Sequence, residues 1–250
     1  METRELGTIR NHEGEVLDHA YVPANRAGAG TVVIGHGLTS EMDRPWQVEL
    51  ARQLAAAGFG SLRFSFSGNG GSEGAFLDSC PTKEVADLGV VLDALEAAEA
   101  GPLFYVGHSM GALVGLLAAG RGEARIRALV SLAGMVHSRA FTEVHLSGLE
   151  LGGPVVGKPD KPLGQTLLDD LLGIESALPL ASGLGRPWLL VHGDLDDVVP
   201  VSDSVDAAGA AGVAAELVIL EGHDHSFLVG EASHEAEMAA VVVAWLAGLR

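Results

Sequence analysis

The chain has 250 residues, 48% of them hydrophobic, and is therefore long enough to bury the core of one large α/β domain. Its 33 acidic residues against 15 lysines and arginines give a formal net charge of -18, a surface that repels nucleic acid and anionic membranes. The single cysteine, Cys80, excludes an internal disulfide and a cysteine-ligated metal cluster.

Residues 1–14 are polar and charged, unlike the start of a signal peptide, and no apolar run is long enough to cross a bilayer. We therefore expect a cytoplasmic protein in which residues 1–250 form a single domain, as a monomer or a homodimer. We expect neither a cofactor nor a bound metal.

The hydrophobic pattern predicts strands that alternate with helices, as in the βαβ units of a largely parallel sheet. After extended segments around residues 4–10 and 15–22, the predicted strands cover residues 31–34, 61–66, 103–106, 128–132, 188–191 and 215–220. The predicted helices begin near Pro45, cover residues 83–99, follow Ser109, cover residues 202–212 and begin near Ser233. Gly28 and Gly30 precede a strand, whereas phosphate-binding glycines follow one, so we interpret them as a hinge.

Between residues 134 and 186 this alternation breaks, and the segment is rich in Leu, Gly and Pro. We predict that it forms a lid. Its one helical pattern, which ends at Gly173, consists of Leu163, Leu167, Leu168, Leu171 and Leu172. These leucines either line an apolar substrate pocket or pack a capping helix onto the core.

The strongest chemical signal is Gly107-His108-Ser109-Met110-Gly111, between a predicted strand and a predicted helix. In that context Gly-x-Ser-x-Gly is typical of a nucleophile elbow, a sharp turn that exposes the serine hydroxyl above the sheet edge. The two glycines leave room where the strand and helix backbones approach each other. The turn also places the Met110 amide at a helix N-terminus, which favours developing negative charge.

Asp194, Asp196 and Asp197 follow the predicted strand at residues 188–191 and are candidates for a carboxylate that orients a histidine. We favour Asp196, three residues past the glycine that ends the strand, because a loop there can curl back over the sheet. The alternative for each aspartate is a role in the turn itself.

His223 and His225 follow the last predicted strand, and either is a candidate for the general base that accepts the serine proton. A His-x-His pair is also a possible zinc site, but no third ligand lies in register with it. Serine, then aspartate, then histidine is the chain order of the triad in α/β-hydrolases.

Five motifs together resemble the α/β-hydrolase superfamily, and within it small bacterial serine esterases similar to feruloyl esterases and serine aminopeptidase-type hydrolases. The resemblance extends from about residue 31 to residue 249. The motifs are His36-Gly37-Leu38, Arg-Phe-x3-Gly-x-Gly-x-Ser at residues 63–72, Gly-x-Ser-x-Gly at residues 107–111, Gly193-x-x-Asp196 with Val199-Pro200, and Asp224-His225-Ser226-Phe227.

The resemblance implies an α/β-hydrolase fold, a mostly parallel sheet flanked by helices with a short lid insertion at residues 134–186. It implies Ser109, Asp196 and His225 as the catalytic residues, with the amides of Leu38 and Met110 as the oxyanion hole. Relatives often carry Asp where Ser65 stands and His where Asn69 stands, two positions that we expect to brace the loop near the site.

The predicted function is hydrolysis of a small-molecule carboxylic ester through an acyl-enzyme, as in carboxylesterases. The same three groups also suit a thioesterase, an acyltransferase or a C–C hydrolase. A ligand-binding sensor on the same scaffold is the alternative outside the enzymes, and the complete set of serine, aspartate and histidine argues against it.

Overall fold

The computed structural model describes residues 6–227 and 234–249. In them the strands are β1 (Ile9–Arg10), β2 (Val16–Leu17), β3 (His19–Val22), β4 (Thr31–Gly35), β5 (Gly60–Phe64), β6 (Leu103–His108), β7 (Ile126–Leu132), β8 (Pro154–Val155), β9 (Lys158–Pro162), β10 (Trp188–Gly193) and β11 (Ala215–Leu220). The helices are α1 (Pro45–Ala56), α2 (Pro81–Ala97), α3 (Met110–Gly120), α4 (Ser138–His145), α5 (Gln165–Ile174), α6 (Leu178–Ala181), α7 (Val201–Ala211) and α8 (His234–Gly248). The expected starts of the first extended segment at Arg4 and of the closing helix at Ser233 lie outside the described residues.

Within the described residues, the central sheet has seven strands in the order β11-β10-β7-β6-β4-β5-β3. All of these described strands run parallel except the edge strand β3, which pairs antiparallel with β5. The short hairpins β1–β2 and β8–β9 lie outside this sheet. The predicted α/β architecture is therefore confirmed, and the carboxyl ends of β4, β6, β10 and β11 open at one edge, where parallel sheets bind ligands.

Helices cover both faces of the sheet. On one face α1 and α8 bury Leu50 and Val242, and on the other α2 and α3 bury Leu92 and Leu113. Because both faces are covered, the central strands β4, β6 and β10 are buried along almost their whole length. Among the described residues, no helix has the length and apolar character needed to span a membrane.

Residues 134–186 connect β7 to β10 and contain α4, the β8–β9 hairpin, α5 and α6. Only α5 was expected from the helical pattern of leucines. Leu163, Leu167 and Leu171 are buried in the core, so these leucines pack the segment onto the domain instead of lining a pocket. The role of the segment as a lid stays a prediction.

Candidate active site

Ser109 lies at the junction of β6 and α3, with φ of 54° and ψ of -118°, a backbone conformation that side-chain-bearing residues rarely adopt. A Cβ on Gly107 would collide with the carbonyl of Gly111, and a Cβ on Gly111 would collide with the carbonyl of His36. The hydroxyl of Tyr105 in β6 donates to the Gly111 carbonyl at 2.9 Å. The turn therefore has the close backbone approach that the glycine spacing predicted.

The loop after β4 lies next to this turn and is held by the buried His36. Its Nδ1 donates to the Gly37 carbonyl at 2.8 Å, and its Nε2 accepts the Phe66 amide at 3.0 Å. Burial lowers the pKa of His36 to about 4, so the ring is neutral near pH 7 and can both donate and accept.

The two amides predicted to form an oxyanion hole come from this loop and from α3. Leu38 lies in the loop held by His36 and lines the same cleft as Ser109, and Met110 is the first residue of α3. In the part of the chain that the structure describes, neither amide has a hydrogen-bond acceptor. Both are therefore available to an oxygen atom of a ligand.

Asp196 lies in the loop after β10 with its side chain fully buried. Its Oδ1 accepts the amides of Val198 and Val199, both at 2.9 Å, and its Oδ2 lies 2.8 Å from His225 Nδ1 and 3.1 Å from His192 Nε2. Burial opposes ionisation, but the hydrogen bonds from His192 and His225 outweigh it and hold the pKa of Asp196 below its ordinary value. A carboxylate at Nδ1 fixes the His225 tautomer in which Nε2 is the basic atom.

The other candidate carboxylates point elsewhere. Asp194 and Asp197 are both exposed. Asp194 Oδ1 accepts the backbone amide of Gly222 at 2.6 Å, so it ties together the loops that follow β10 and β11. Of the three aspartates, the structure places Asp196 against a candidate histidine, as the spacing predicted.

The other candidate histidine faces away from Asp196. His223 Nδ1 lies 2.9 Å from the Glu221 carbonyl, and its ring stacks on His234 of α8 with 4.1 Å between ring centroids. His223 and His225 therefore contact different groups, and the structure does not bring them together.

Ser109 and His225 line one cleft of about 280 Å³. Residues 134–186 contribute three side chains to its wall, namely Phe141, Val156 and Lys158. A larger cavity of about 580 Å³ lies at the amino ends of β6 and β7, but the described residues that line it include no serine, cysteine or histidine. The smaller cleft is therefore the candidate active site.

Two buried histidines support the cleft in ways that the sequence did not reveal. His108 Nε2 donates to the His225 carbonyl at 2.7 Å; burial, and then the nearness of His225, lowers the pKa of His108 to about 3. His192 contacts Asp196 from within the sheet and Ser204 Oγ at 2.7 Å on its other nitrogen. The only sequence signal for His192 is its position at a strand end, four residues before Asp196.

Ser65 and Asn69 both contact neighbouring loops. Ser65 Oγ accepts the Met42 amide at 3.1 Å, and Asn69 Oδ1 accepts Lys161 Nζ at 3.2 Å. Each of the two positions thus has a polar contact with another loop.

The sequence of this chain matches a known protein family. Residues 27–158, just over half of the chain, match the family model described as serine aminopeptidase, S33. An uncharacterised protein of Mycobacterium tuberculosis is 27% identical over 220 residues, which are 87% of this chain and 71% of that protein.

Solved structures share the fold. Est1E from Butyrivibrio proteoclasticus, determined with ferulic acid bound, is 21% identical with a TM-score of 0.80, covering 97% of this chain and 98% of its own. A monoacylglycerol lipase from Paleococcus ferrophilus is 20% identical with a TM-score of 0.75, covering 92% of this chain and 98% of its own. Mouse alpha/beta hydrolase domain-containing protein 10 is 19% identical with a TM-score of 0.78, covering 98% of this chain and 99% of its own. The chain thus has the α/β-hydrolase fold and belongs to the serine aminopeptidase S33 family of hydrolases.

Proposed function

We propose that this protein is a serine esterase that cleaves a carboxylic ester through an acyl-enzyme, with Ser109 as nucleophile, His225 as general base and acid, and Asp196 as the orienting carboxylate. The observation that carries the proposal is the 2.8 Å contact between His225 Nδ1 and Asp196 Oδ2, beside the cleft that also contains Ser109. A monoacylglycerol lipase and a complex with ferulic acid among the structural relatives favour an ester over an amide.

In the first half of the proposed reaction, Ser109 Oγ attacks the ester carbonyl carbon and its proton passes to His225 Nε2. The Asp196 carboxylate stabilises the imidazolium that forms. The oxyanion lies between the amides of Leu38 and Met110, each of which lowers the barrier by about 2.7–4 kcal/mol. The C–O bond then breaks, and the Nε2 proton goes to the departing alcohol.

In the second half, water takes the place of the alcohol. His225 Nε2 accepts a proton from water while the hydroxyl oxygen bonds to the acyl carbon. The second tetrahedral intermediate collapses, Ser109 leaves with the proton from Nε2, and a carboxylic acid is released. The enzyme returns to its starting protonation state.

We propose that the apolar part of the substrate enters a second cavity of about 290 Å³, which shares Phe141 and Val198 with the cleft. Its wall includes further apolar side chains, among them Ala140 and Val144. Because one methylene group is worth only about 1–3 kcal/mol in such a pocket, we expect a graded dependence of rate on chain length.

The test is a panel of p-nitrophenyl esters of increasing acyl length, together with a feruloyl ester and a thioester, followed by stopped-flow absorbance. We expect a burst of p-nitrophenol that Ser109→Ala abolishes, with kcat lowered at least about 10⁴-fold. Ser182→Ala, which removes an exposed serine outside the cleft, is the matched control and should retain the burst. Absence of a burst together with absence of labelling by a fluorophosphonate would contradict the proposal and favour a ligand-binding protein.

A further inference from the structure

The cleft contains two partly buried cationic side chains, Arg44 immediately before α1 and Lys158 at the start of β9. Within the described residues, neither has a carboxylate at ion-pair distance, and the Arg44 guanidinium has no hydrogen bond. Lys158 Nζ donates once, to the Thr39 carbonyl at 2.8 Å. Two cations at the candidate site therefore have no ion-pair partner among the described residues.

The protein has 33 aspartates and glutamates, yet none of them is among the described residues that line the cleft. The formal net charge is -18, and elsewhere in the described chain six cations pair with acids, whereas Arg26, Arg121, Arg127, Lys161 and Arg186 do not. These paired cations are Arg10, Arg52, Arg63, Lys83, Arg125 and Arg139. The described residues that line the cleft include Arg44 and Lys158 and no aspartate or glutamate, a distribution of charge that attracts an anion.

We propose that Arg44 and Lys158 bind a carboxylate carried by the substrate, and that the enzyme therefore prefers an ester with a free carboxylate to its neutral analogue. This inference rests on the proposed esterase function. The planar Arg44 guanidinium can bind a carboxylate through two parallel hydrogen bonds, and the Lys158 ammonium has two donors left after its contact with Thr39.

The position of Lys158 gives an upper limit to the size of such a substrate. Its ammonium contacts the carbonyl of Thr39, the residue that follows Leu38, so it lies within about 10 Å of the Leu38 amide. We therefore choose test substrates in which the carboxylate is three or four carbons from the ester carbonyl, or across one aromatic ring, because these lengths fall within that limit. Trp46 and Phe141 supply apolar surface in the same cleft for those carbons.

Two matched substrate pairs test the proposal. The acyl arm compares p-nitrophenyl hemiglutarate with p-nitrophenyl pentanoate, and the alcohol arm compares 3-carboxyphenyl acetate with phenyl acetate, each corrected for spontaneous hydrolysis. We expect kcat/KM to be at least about tenfold higher for the anionic ester in one arm, with a preference that weakens at high salt because charge interactions are screened.

The variants Arg44→Gln and Lys158→Gln should each lower the anionic-to-neutral ratio of kcat/KM at least about fivefold. Arg127→Gln, the same charge change at the exposed amino end of β7, is the control and should leave the ratio unchanged. Because Lys158 also donates to the Thr39 carbonyl, Lys158→Gln can alter the turnover of both esters. The anionic-to-neutral ratio of kcat/KM within that variant separates this general effect from the loss of carboxylate binding.

Equal kcat/KM for both members of each pair would overturn the proposal, as would a ratio in Arg44→Gln no lower than in Arg127→Gln. Calorimetric binding of glutarate to Ser109→Ala tests the anion site without turnover, and Arg44→Gln in that background should weaken it at least about fivefold. Failure of the esterase function gives a different result, in which no ester is hydrolysed or Ser109→Ala hydrolyses both, whatever the glutarate titration shows.

Discussion

The strand-end loops and residues 134–186 both contribute to the cleft, but different contacts hold them there. The loop after β10 holds Asp196 through amides two and three residues away, and the elbow holds Ser109 through glycines two residues on either side. Residues 134–186 contact the loops after β4 and β5 through lysines that are distant in the sequence, from Lys158 to Thr39 and from Lys161 to Gly68, which span 119 and 93 residues.

We therefore expect that the proposed reacting groups and the surface proposed to select the substrate can be altered separately. A change in a strand-end loop should alter the chemistry while the sheet remains packed. A change in residues 134–186 should alter the surface around the substrate and the stability of the contacts that hold the segment. The predictions below start with the largest expected effect.

The largest effect is expected at the loop after β10. Asp196→Asn cannot stabilise a positively charged His225 and favours the wrong tautomer, so we expect kcat/KM for a p-nitrophenyl ester to fall about 10⁴-fold. Asp194→Asn is the matched control, because this exposed carboxylate lies two residues away and contacts only a backbone amide of the described chain. Comparable losses in the two variants would show that the contact between Asp196 and His225 is not what matters.

The residues around the cleft also show how much of the candidate site could be predicted from the sequence. The turn at Ser109 was predictable because its glycines are required by close backbone approach, which is a local property. Asp196 was predictable because its position past the strand follows from the loop spacing. The contact of His108 with the His225 carbonyl was not, because it joins residues 117 positions apart that only the complete fold brings together.

The same reasoning explains what was missed in residues 134–186. The helix α4 has only eight residues, too few to establish a helical period in the sequence, and the hairpin β8–β9 is short and interrupted by glycine and proline. Lys158 and Lys161 look like ordinary surface lysines in the sequence. Their contacts with the loops after β4 and β5 depend on where the hairpin lies in three dimensions.

A smaller effect concerns pH and the loop after β4. The pKa of His36 is about 4 in the folded protein, below the 6.5 of an exposed histidine, so between these values the unfolded state binds the extra proton. Stability should therefore fall as the pH decreases from 6.5 to 4, by up to about 3 kcal/mol from this residue. His108, with a pKa of about 3, acts in the same direction.

Urea unfolding at pH 7.5 and pH 4.5 measures this effect. We expect His36→Gln to be less stable at pH 7.5 but to lose less free energy of unfolding on acidification than the wild-type protein. The histidines of residues 134–186, His137 and His145, are partly buried or exposed, and His145→Gln is the control. Identical pH dependence in the wild type and His36→Gln would show that this imidazole does not couple folding to protonation.

The smallest effect is expected where residues 134–186 meet the loop after β5. Lys161 Nζ donates to the Gly68 carbonyl and to Asn69 Oδ1 and lies 5.2 Å from the centre of the Phe76 ring. Lys161→Met keeps the apolar packing but leaves two acceptors without a donor, at a cost of about 1–3 kcal/mol. Arg121→Met, at an exposed position after α3, should change stability by less than about 0.5 kcal/mol.

Differential scanning calorimetry of these two variants completes the comparison of the two regions. For a domain of this size, Lys161→Met should lower Tm by several degrees, at about 2–4 °C per kcal/mol. A Tm equal to that of Arg121→Met would show that this contact does not hold residues 134–186 in place.

The most direct measurement identifies the residue that carries the acyl group. The protein is mixed with a p-nitrophenyl ester, quenched in acid during the burst, digested and analysed by mass spectrometry. We predict one acyl group per chain, on the peptide that contains Ser109, with none on Ser109→Ala. An acyl group on any other residue, or full turnover by Ser109→Ala, would contradict the assignment of Ser109 as the nucleophile.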